Sequence, residues 1–172
     1  MAGSTSGSVT LAVPAVAGSN TATLPAATGT VMVSGNMPAF RATTSGNTAC
    51  PTNTYTKIQF NTKTFDTNSC FDATTNFRFT PNVQGYYQVT GAISFGSYTA
   101  SYVNLSIWKN GSQYGPNGSG YSAGTGEVTF TTADLVYCNG TTDYIELYVV
   151  QGTTGTLNAS GGVFSAVLTR TA

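Results

Sequence analysis

The chain has 172 residues, 40% of them hydrophobic, which is enough to fill the core of one domain that carries a short extra segment. Charged residues make up only 7%, the six basic and six acidic side chains cancel, and histidine is absent. This balance leaves no basic stripe for nucleic acid, and the lack of histidine removes the usual general base and the commonest metal ligand. We therefore expect a protein that is not an enzyme and has no cofactor, no bound metal and no nucleic-acid partner.

Residues 1–36 differ in composition from the rest of the chain. Residues 4–34 contain no aromatic or charged side chain, and two short apolar pieces, VTLAVP and ATLPA, flank the turn-type cluster AGSN. Strands with such small side chains cannot form a hydrophobic core of their own. The sequence therefore predicts a short β-rich arm that becomes ordered against other copies of the chain or a larger assembly. A flexible tether is the alternative. No signal peptide and no membrane span are predicted anywhere in the chain.

From residue 37 onward, segments rich in β-branched and aromatic residues alternate with turn signals, and no segment has a sustained helical period. Such a pattern predicts an all-β antiparallel sandwich or jelly roll over residues 37–172, with an isolated barrel as the alternative. The predicted strands are PAFRATT, TKIQFN, FRFTP, GYYQVTGAISF, SYVNLSIWKNG, GEVTFTTADLVYC, DYIELYVVQ and GGVFSAVLTR.

Two of these strands show which face should enter the core. Apolar residues occupy every second position of both, at Val103, Leu105, Ile107, Ile145, Leu147 and Val149. Trp108 alternates with these positions, and we interpret it as a packing residue. The dipeptide Asn110-Gly111 is the signal of a tight hairpin turn.

The three cysteines fit neither a zinc-binding pattern nor a redox motif. Cys50 and Cys70 flank turn-like segments and could form a disulfide, whereas Cys138 closes an apolar run and could be buried. Connectivity does not follow from sequence alone, so a Cys50–Cys70 disulfide and free thiols are both open.

Two Phe-Asp pairs occur in the stretch FDTNSCFDATTNFRF, which raises the question of an acid/base pair. Asp66 and Asp72 each lie in turn-like sequence, where a carboxylate accepts hydrogen bonds from nearby backbone amides. Catalysis would require a raised pKa, a partner and a cleft, and a calcium site would require several converging oxygens. We therefore predict that both residues stabilise turns.

The same region resembles the signature of the C1q globular-head family of the C1q/tumour necrosis factor superfamily, through Phe60, Asp66, Phe71, Phe79, Gly85 and Tyr87. PAFRA is similar to the family's opening strand, WKNG to a hairpin and GGVFSAVLTR to the closing strand, so the resemblance covers residues 38–170. The chain departs from the signature by one extra residue between Phe71 and Phe79 and by Val89 in place of a common Phe. The resemblance implies a ten-stranded antiparallel jelly roll that assembles as a homotrimer and binds partners without catalysis.

The arm is similar to segments of tailed-bacteriophage fibre and appendage proteins. Together the two resemblances imply a virion protein, a trimeric fibre or spike head that binds a host surface glycan or protein. One alternative is a capsid decoration or head-fibre protein that docks on a capsid or tail protein through residues 1–36. A bacterial surface or spore-coat protein with a C1q-like domain is a further alternative.

Candidate binding residues come from two predicted loops, residues 96–102 and 112–126, which combine Gly, Ser and Asn with tyrosine. Tyrosine among small polar residues offers apolar area together with hydrogen bonds, a composition suited to sugars or protein epitopes. The alternative is that these side chains pack at a trimer axis or cover the ends of the sandwich. The four candidates are Tyr98, Tyr102, Tyr114 and Tyr121.

Overall fold

The computed structural model describes residues 31–33, 35, 37–96, 98–115, 118–124 and 126–172, together with positions 10, 12, 18, 19, 21 and 26. The chain divides into two units, Met1–Thr30 and Val31–Ala172. The predicted strands and packing of the arm fall largely outside the described residues. The arm and its boundary at residue 36 therefore stay predictions.

The described part of the second unit consists of β-strands joined by turns, without an α-helix. Several strands are segments of only two or three residues, so the described segments outnumber the ten strands of the predicted jelly roll. In chain order they are β1 (Ala39–Thr43), β2 (Thr48–Cys50), β3 (Thr56–Lys57), β4 (Thr62–Asp66), β5 (Phe71–Asp72), β6 (Arg78–Phe79), β7 (Gly85–Phe95), β8 (Tyr98–Lys109), β9 (Ser112–Gln113), β10 (Gly118–Gly124), β11 (Val128–Cys138), β12 (Ile145–Gln151) and β13 (Leu157–Thr171).

The strands form two antiparallel sheets that face each other. One has six strands in the order β11-β7-β13-β1-β4, with β2 beside β13. The other has seven in the order β10-β8-β12-β6-β5, with β3 beside β12 and β9 beside β8. The sheets approach so closely that a Cβ on Gly91 of β7 would collide with Leu147 of β12. The predicted all-β antiparallel sandwich is confirmed.

The alternation read from the sequence sets the inner face of each sheet. Val103, Leu105 and Ile107 of β8 are at most 1% exposed. Ile145, Leu147 and Val149 of β12 are fully buried. Strand β7 begins and ends at the predicted residues and alternates between buried and more exposed positions along its whole length. The predicted core faces are therefore correct.

The turn after β8 has the predicted hairpin geometry. Asn110 and Gly111 both have positive φ, 53° and 76°, as a type I′ turn requires. The Asn110 side chain also fixes a second turn, since its Oδ1 accepts a hydrogen bond from the Tyr144 amide at 2.9 Å and its Nδ2 donates to Asp143 at 2.7 Å.

Stacked aromatic rings fill the centre of the sandwich. The Phe40 ring lies 4.5 Å from that of Phe71 and 4.6 Å from that of Phe79, and the Phe164 ring meets Phe40 edge-on at 4.9 Å. The aromatic members of the family signature belong to this core, because Phe60, Phe71, Phe79 and Tyr87 are all at most 3% exposed. The signature aromatics therefore pack between the two sheets.

Gly85 begins β7 at a crowded position. A Cβ there would collide with the carbonyl oxygen of Arg170 and approach Leu168 to 2.6 Å. The start of the central strand thus requires a residue without a side chain.

The three cysteines are buried free thiols, so the Cys50–Cys70 disulfide is not formed. Burial raises the pKa of Cys50 to about 11 and that of Cys138 to about 12, which keeps both thiols neutral. Buried neutral thiols behave as small apolar core residues.

The disulfide is excluded by distance. Cys50 lies in β2, which pairs with the first residues of β13. On its other side, this part of β13 pairs with β7 at Phe95. Cys70 lies near Tyr87, whose pKa is raised by burial and by the neighbouring Cys138 and Cys70 thiols. Tyr87 and Phe95 are eight positions apart on one strand, roughly 26 Å at the usual rise per residue. A disulfide requires Cα atoms within about 7 Å.

Candidate functional site

Asp66 closes the turn between β4 and β5. Its Oδ1 accepts a hydrogen bond from the Cys70 amide at 2.9 Å and its Oδ2 accepts one from the Phe71 amide at 3.0 Å. Lys63 Nζ lies 3.4 Å from the same carboxylate. Both oxygens are engaged in holding the turn, so the predicted structural role is confirmed.

Asp72 organises the next turn in the same way. Its carboxylate accepts hydrogen bonds from the backbone amides of Thr74, Thr75 and Asn76 and from the Asn76 side chain, at 2.9–3.0 Å. The amides of Thr75 and Thr74 hold the pKa of Asp72 well below its usual value. A carboxylate with a lowered pKa is a poor proton acceptor near neutral pH, and the acid/base interpretation has no support in this geometry.

Within the part of the chain that the structure describes, no three Cys, Asp or Glu side chains come together as metal ligands. No helix among those residues is long and apolar enough to cross a membrane.

Three of the four candidate tyrosines lie on strands and not in the predicted loops, whereas Tyr114 lies in its predicted loop. Tyr98 and Tyr102 belong to β8 and Tyr121 to β10, and the two strands pair with Tyr102 opposite Tyr121. The loop prediction was wrong because Gly and Ser weaken a strand signal, whereas a long neighbouring strand still templates the pairing. Tyr114 follows β9 directly.

Two of these side chains are described, and both contact the protein. The Tyr102 hydroxyl donates a hydrogen bond to Asn53 Oδ1 at 2.7 Å. Tyr114 is half-buried and packs against the core. Tyr102 and Tyr114 contact different parts of the protein, and the binding role of the four tyrosines stays a prediction.

The outer face of the six-stranded sheet carries exposed apolar side chains that the sequence did not reveal. Four large apolar side chains on this face are 36–49% exposed: Phe65, Tyr86, Leu135 and Val167. Leu135 and Val167 both pair in register with Gln88, one from each side, so the three residues form a row across β11, β7 and β13. We call the surface that these four side chains define the association face.

The middle of the association face consists of small side chains. A shallow recess of ≈ 340 Å³ is lined there by Thr90, Ala92, Thr131, Ala133 and Val163, among others. Neighbouring hydroxyls bond to each other, with 2.7 Å between Thr90 and Ser165 and 2.7 Å between Ser94 and Thr129. These hydroxyls therefore satisfy each other within the sheet, which lowers the cost of covering the face with another surface.

Two positive charges of this sheet contact side chains of the same sheet, and one of them, Arg41, lies beside Phe65 within the face. Arg41 donates to the Thr64 hydroxyl at 2.9 Å, and the Arg170 guanidinium lies 5.9 Å from the centre of the Tyr86 ring. These contacts leave the centre of the face uncharged.

No family model matches the chain, and no curated protein sequence matches it either. Three solved structures with different biological roles share its fold. The globular domain of zebrafish complement 1qA superposes with a TM-score of 0.62 at 17% identity, covering 78% of this chain and 98% of that one. The PRD1 vertex protein P5 gives 0.58 at 16%, covering 76% and 96%. The Eiger TNF of S. frugiperda gives 0.54 at 12%, covering 79% and 93%.

These likenesses define the class of fold. The chain is a C1q/TNF-like antiparallel jelly roll, as the sequence signature predicted. At identities of 12–17% the comparison establishes the fold alone.

Proposed function

We propose that the protein is a homotrimeric structural protein of a bacteriophage virion whose jelly-roll head binds the surface of the host cell. The observation that carries the proposal is the association face, an apolar sheet surface on an otherwise weakly charged chain. Soluble monomers rarely expose contiguous apolar surface of this kind, and identical copies usually cover it through closed symmetry. The phage assignment is supported by the fold shared with the PRD1 vertex protein P5 and by the small-residue arm.

Trimerisation leaves the seven-stranded sheet free for recognition. Weak contacts repeated on three identical heads would reinforce each other, so a low affinity per head suffices for firm adhesion. The head needs no catalytic group for this role. We also propose that the protein has no hydrolase activity, in line with the absence of histidine and the structural engagement of Asp66 and Asp72.

Adhesion of the purified protein to bacterial cells tests the function. Fluorescently labelled full-length protein should bind a subset of strains in a panel, and unlabelled protein should compete. Gold-labelled antibodies against the head should decorate intact virions. Absence of the protein from virions would overturn the virion assignment, and failure to adhere to the strain that the phage infects would overturn receptor binding.

A capsid decoration or head-fibre role is the second candidate. It is favoured by the composition of residues 1–36, whose small apolar strands suit docking on a capsid or tail protein. Antibody labelling of virions without adhesion to host cells would support this role.

Enzymatic activity is tested separately, with purified host polysaccharide as the substrate. If the protein degrades the polysaccharide and Asp66→Asn abolishes this activity, the non-enzymatic proposal is contradicted.

A further inference from the structure

An aromatic cluster lies on the outer face of the seven-stranded sheet, on the other side of the molecule from the association face. Trp108 of β8 and Tyr148 of β12 occupy positions that alternate with the buried residues Ile107 and Leu147, so both side chains point away from the core. Tyr55, which comes just before β3, packs on the same cluster and is 44% exposed. We call Tyr55, Trp108 and Tyr148 the aromatic platform.

The three rings are in direct contact. The Trp108 and Tyr148 rings are stacked, with centroids 4.3 Å apart and an interplanar angle of 29°. The Tyr55 ring meets Trp108 edge-on, with centroids 5.3 Å apart. The outer face of a sheet in a sandwich needs no aromatic side chains for the core, since the core is built from the inner faces.

Hydrogen bonds hold the platform in one conformation. The indole Nε1 of Trp108 donates to the Ser106 hydroxyl at 2.9 Å, and that hydroxyl donates to the Tyr148 carbonyl oxygen at 3.2 Å. The Tyr55 hydroxyl donates to Gln113 Oε1 at 3.3 Å. The polar group of Trp108 is thereby used inside the protein, and the surface that Trp108 presents to a ligand is its apolar ring.

The charges around the platform are compensated within the protein. Lys57 and Glu146 form an ion pair at 2.9 Å, and the Glu146 side chain is only 6% exposed. Burial, together with the neighbouring Glu146, raises the pKa of the Tyr148 hydroxyl, so the phenol stays neutral. Since no charge is left uncompensated beside the rings, the site favours an uncharged ligand over an anionic one.

Amide side chains flank the rings on the same face. Gln113 lies opposite Trp108 in the β8–β9 pair. Its Oε1 accepts a hydrogen bond from Tyr55 and its Nε2 donates one to the Gly115 carbonyl oxygen at 3.3 Å, and each group can form one more. Asn104 lies four positions before Trp108 along β8. Aromatic rings that stack on flat apolar surfaces, bordered by groups that donate and accept hydrogen bonds, match the two kinds of surface that a pyranose presents. One is the face of C–H groups, and the other is the equatorial rim of hydroxyls.

We propose that the aromatic platform binds a neutral pyranose glycan, with sugar rings on Trp108 and Tyr55 and sugar hydroxyls hydrogen-bonded to Gln113 and Asn104. The inference rests on the proposed function and names the ligand class and the site of that function. The residues of the aromatic platform differ from the four tyrosines selected from the sequence as candidate binding residues. The platform also stays accessible in the trimer, because the association face belongs to the other sheet.

Trp108 is the single tryptophan of the chain, so its fluorescence reports directly on the platform. Full-length protein is titrated with maltohexaose, cellohexaose and chitohexaose, and with heparin as a polyanionic control. We expect saturable quenching by at least one neutral hexasaccharide, unchanged by salt. By calorimetry, Trp108→Ala should weaken binding about tenfold or more, the loss of one good stacking contact. Tyr148→Ala should also weaken binding, because it removes the ring that supports Trp108.

Two further variants separate a binding defect from a folding defect. Tyr55→Ala removes the most exposed ring, with little cost to the fold, and should also weaken binding. Tyr102→Ala changes one of the tyrosines predicted from sequence, about 20 Å along β8 from Trp108 and two positions from Asn104, and should lose less binding than Tyr55→Ala. Loss of binding in Tyr102→Ala with full binding in Tyr55→Ala would overturn the proposal, as would salt-sensitive binding of heparin alone.

Cell adhesion distinguishes failure of this inference from failure of the proposed function. If the unmodified protein adheres to cells and Tyr55→Ala and Tyr148→Ala adhere equally well, the platform is not the site, although receptor binding stands. Loss of adhesion after periodate oxidation of the cells, together with weak adhesion of both variants, would support the platform. If the unmodified protein does not adhere, receptor binding fails and the oligosaccharide titrations alone decide whether the platform binds sugar.

Discussion

Replacing Leu135 by Glu on the association face should convert the proposed trimer to monomers. Leu135 is 49% exposed and Val167 is 42% exposed in the single chain. Full burial of such a side chain contributes about 1.5–3 kcal/mol, so covering the exposed half of Leu135 contributes about 0.7–1.5 kcal/mol per subunit. Losing this contribution in three subunits amounts to about 2–4.5 kcal/mol, at least about thirtyfold in the association constant. An uncompensated carboxylate in the interface adds a desolvation penalty.

Size-exclusion chromatography with light scattering measures the outcome. The unmodified protein should have a mass of about 53 kDa, three times the chain mass of 17.7 kDa, and Leu135→Glu should have the mass of one chain. Tyr55→Glu is the matched control, because Tyr55 is exposed to a similar degree beside the other sheet and its replacement should leave the trimer intact. A monomeric unmodified protein, or a Leu135→Glu variant that remains trimeric, would refute the assignment of this face.

Three further predictions concern the core and its ionisable groups. Phe40→Ala removes a ring that is 1% exposed and should cost about 3–5 kcal/mol in urea unfolding, whereas Phe65→Ala, 47% exposed, should cost far less. The Cys50 and Cys138 thiols should resist iodoacetamide in the folded protein and react after denaturation. Because their folded pKa values lie above the ordinary value of 9.0, stability should fall as pH rises from 9 towards 11–12, and replacing both by Ala should flatten that decline. Asp66→Ala should cost about 1.5–3 kcal/mol in thermal or urea unfolding, because two backbone amides lose a charged acceptor; an unchanged stability would contradict the turn role.

The parts of the fold that follow from the sequence are those with strict alternation. Strand β7 was predicted with its observed bounds because Tyr87, Val89, Ile93 and Phe95 alternate with more polar positions in GYYQVTGAISF. Strand β10, with the sequence GSGYSAG, was read as a loop because its residues have weak strand preference. Its strand structure depends on pairing with β8, which is a tertiary effect. Strand β4 was missed for a related reason, since most of its residues are exposed at a sheet edge and carry no core pattern.

The two candidate surfaces could not be derived from local sequence because each combines distant strands. Leu135 and Val167 are 32 positions apart and become neighbours only through their shared partner Gln88 in β7. Trp108 was interpreted as a packing residue because its position next to Ile107 gives no information about Tyr148 and Tyr55. Ring stacking across β8 and β12 depends on the register of those strands, which a single sequence does not specify.

Side-chain size distinguishes the two outer faces and supports different roles for them. The centre of the association face has Thr, Ala and Val around a recess, and small side chains allow two protein surfaces to approach closely without polar atoms left unpaired. The aromatic platform has large rings held by hydrogen bonds and bordered by amides, which offers a hydrated ligand apolar contact together with exchangeable hydrogen bonds. If the roles were reversed, close packing of copies would require burying the amide groups of Gln113 and Asn104. In the proposed arrangement the protein contact and the ligand contact lie on opposite sheets, so that trimerisation through one sheet would multiply the binding sites on the other.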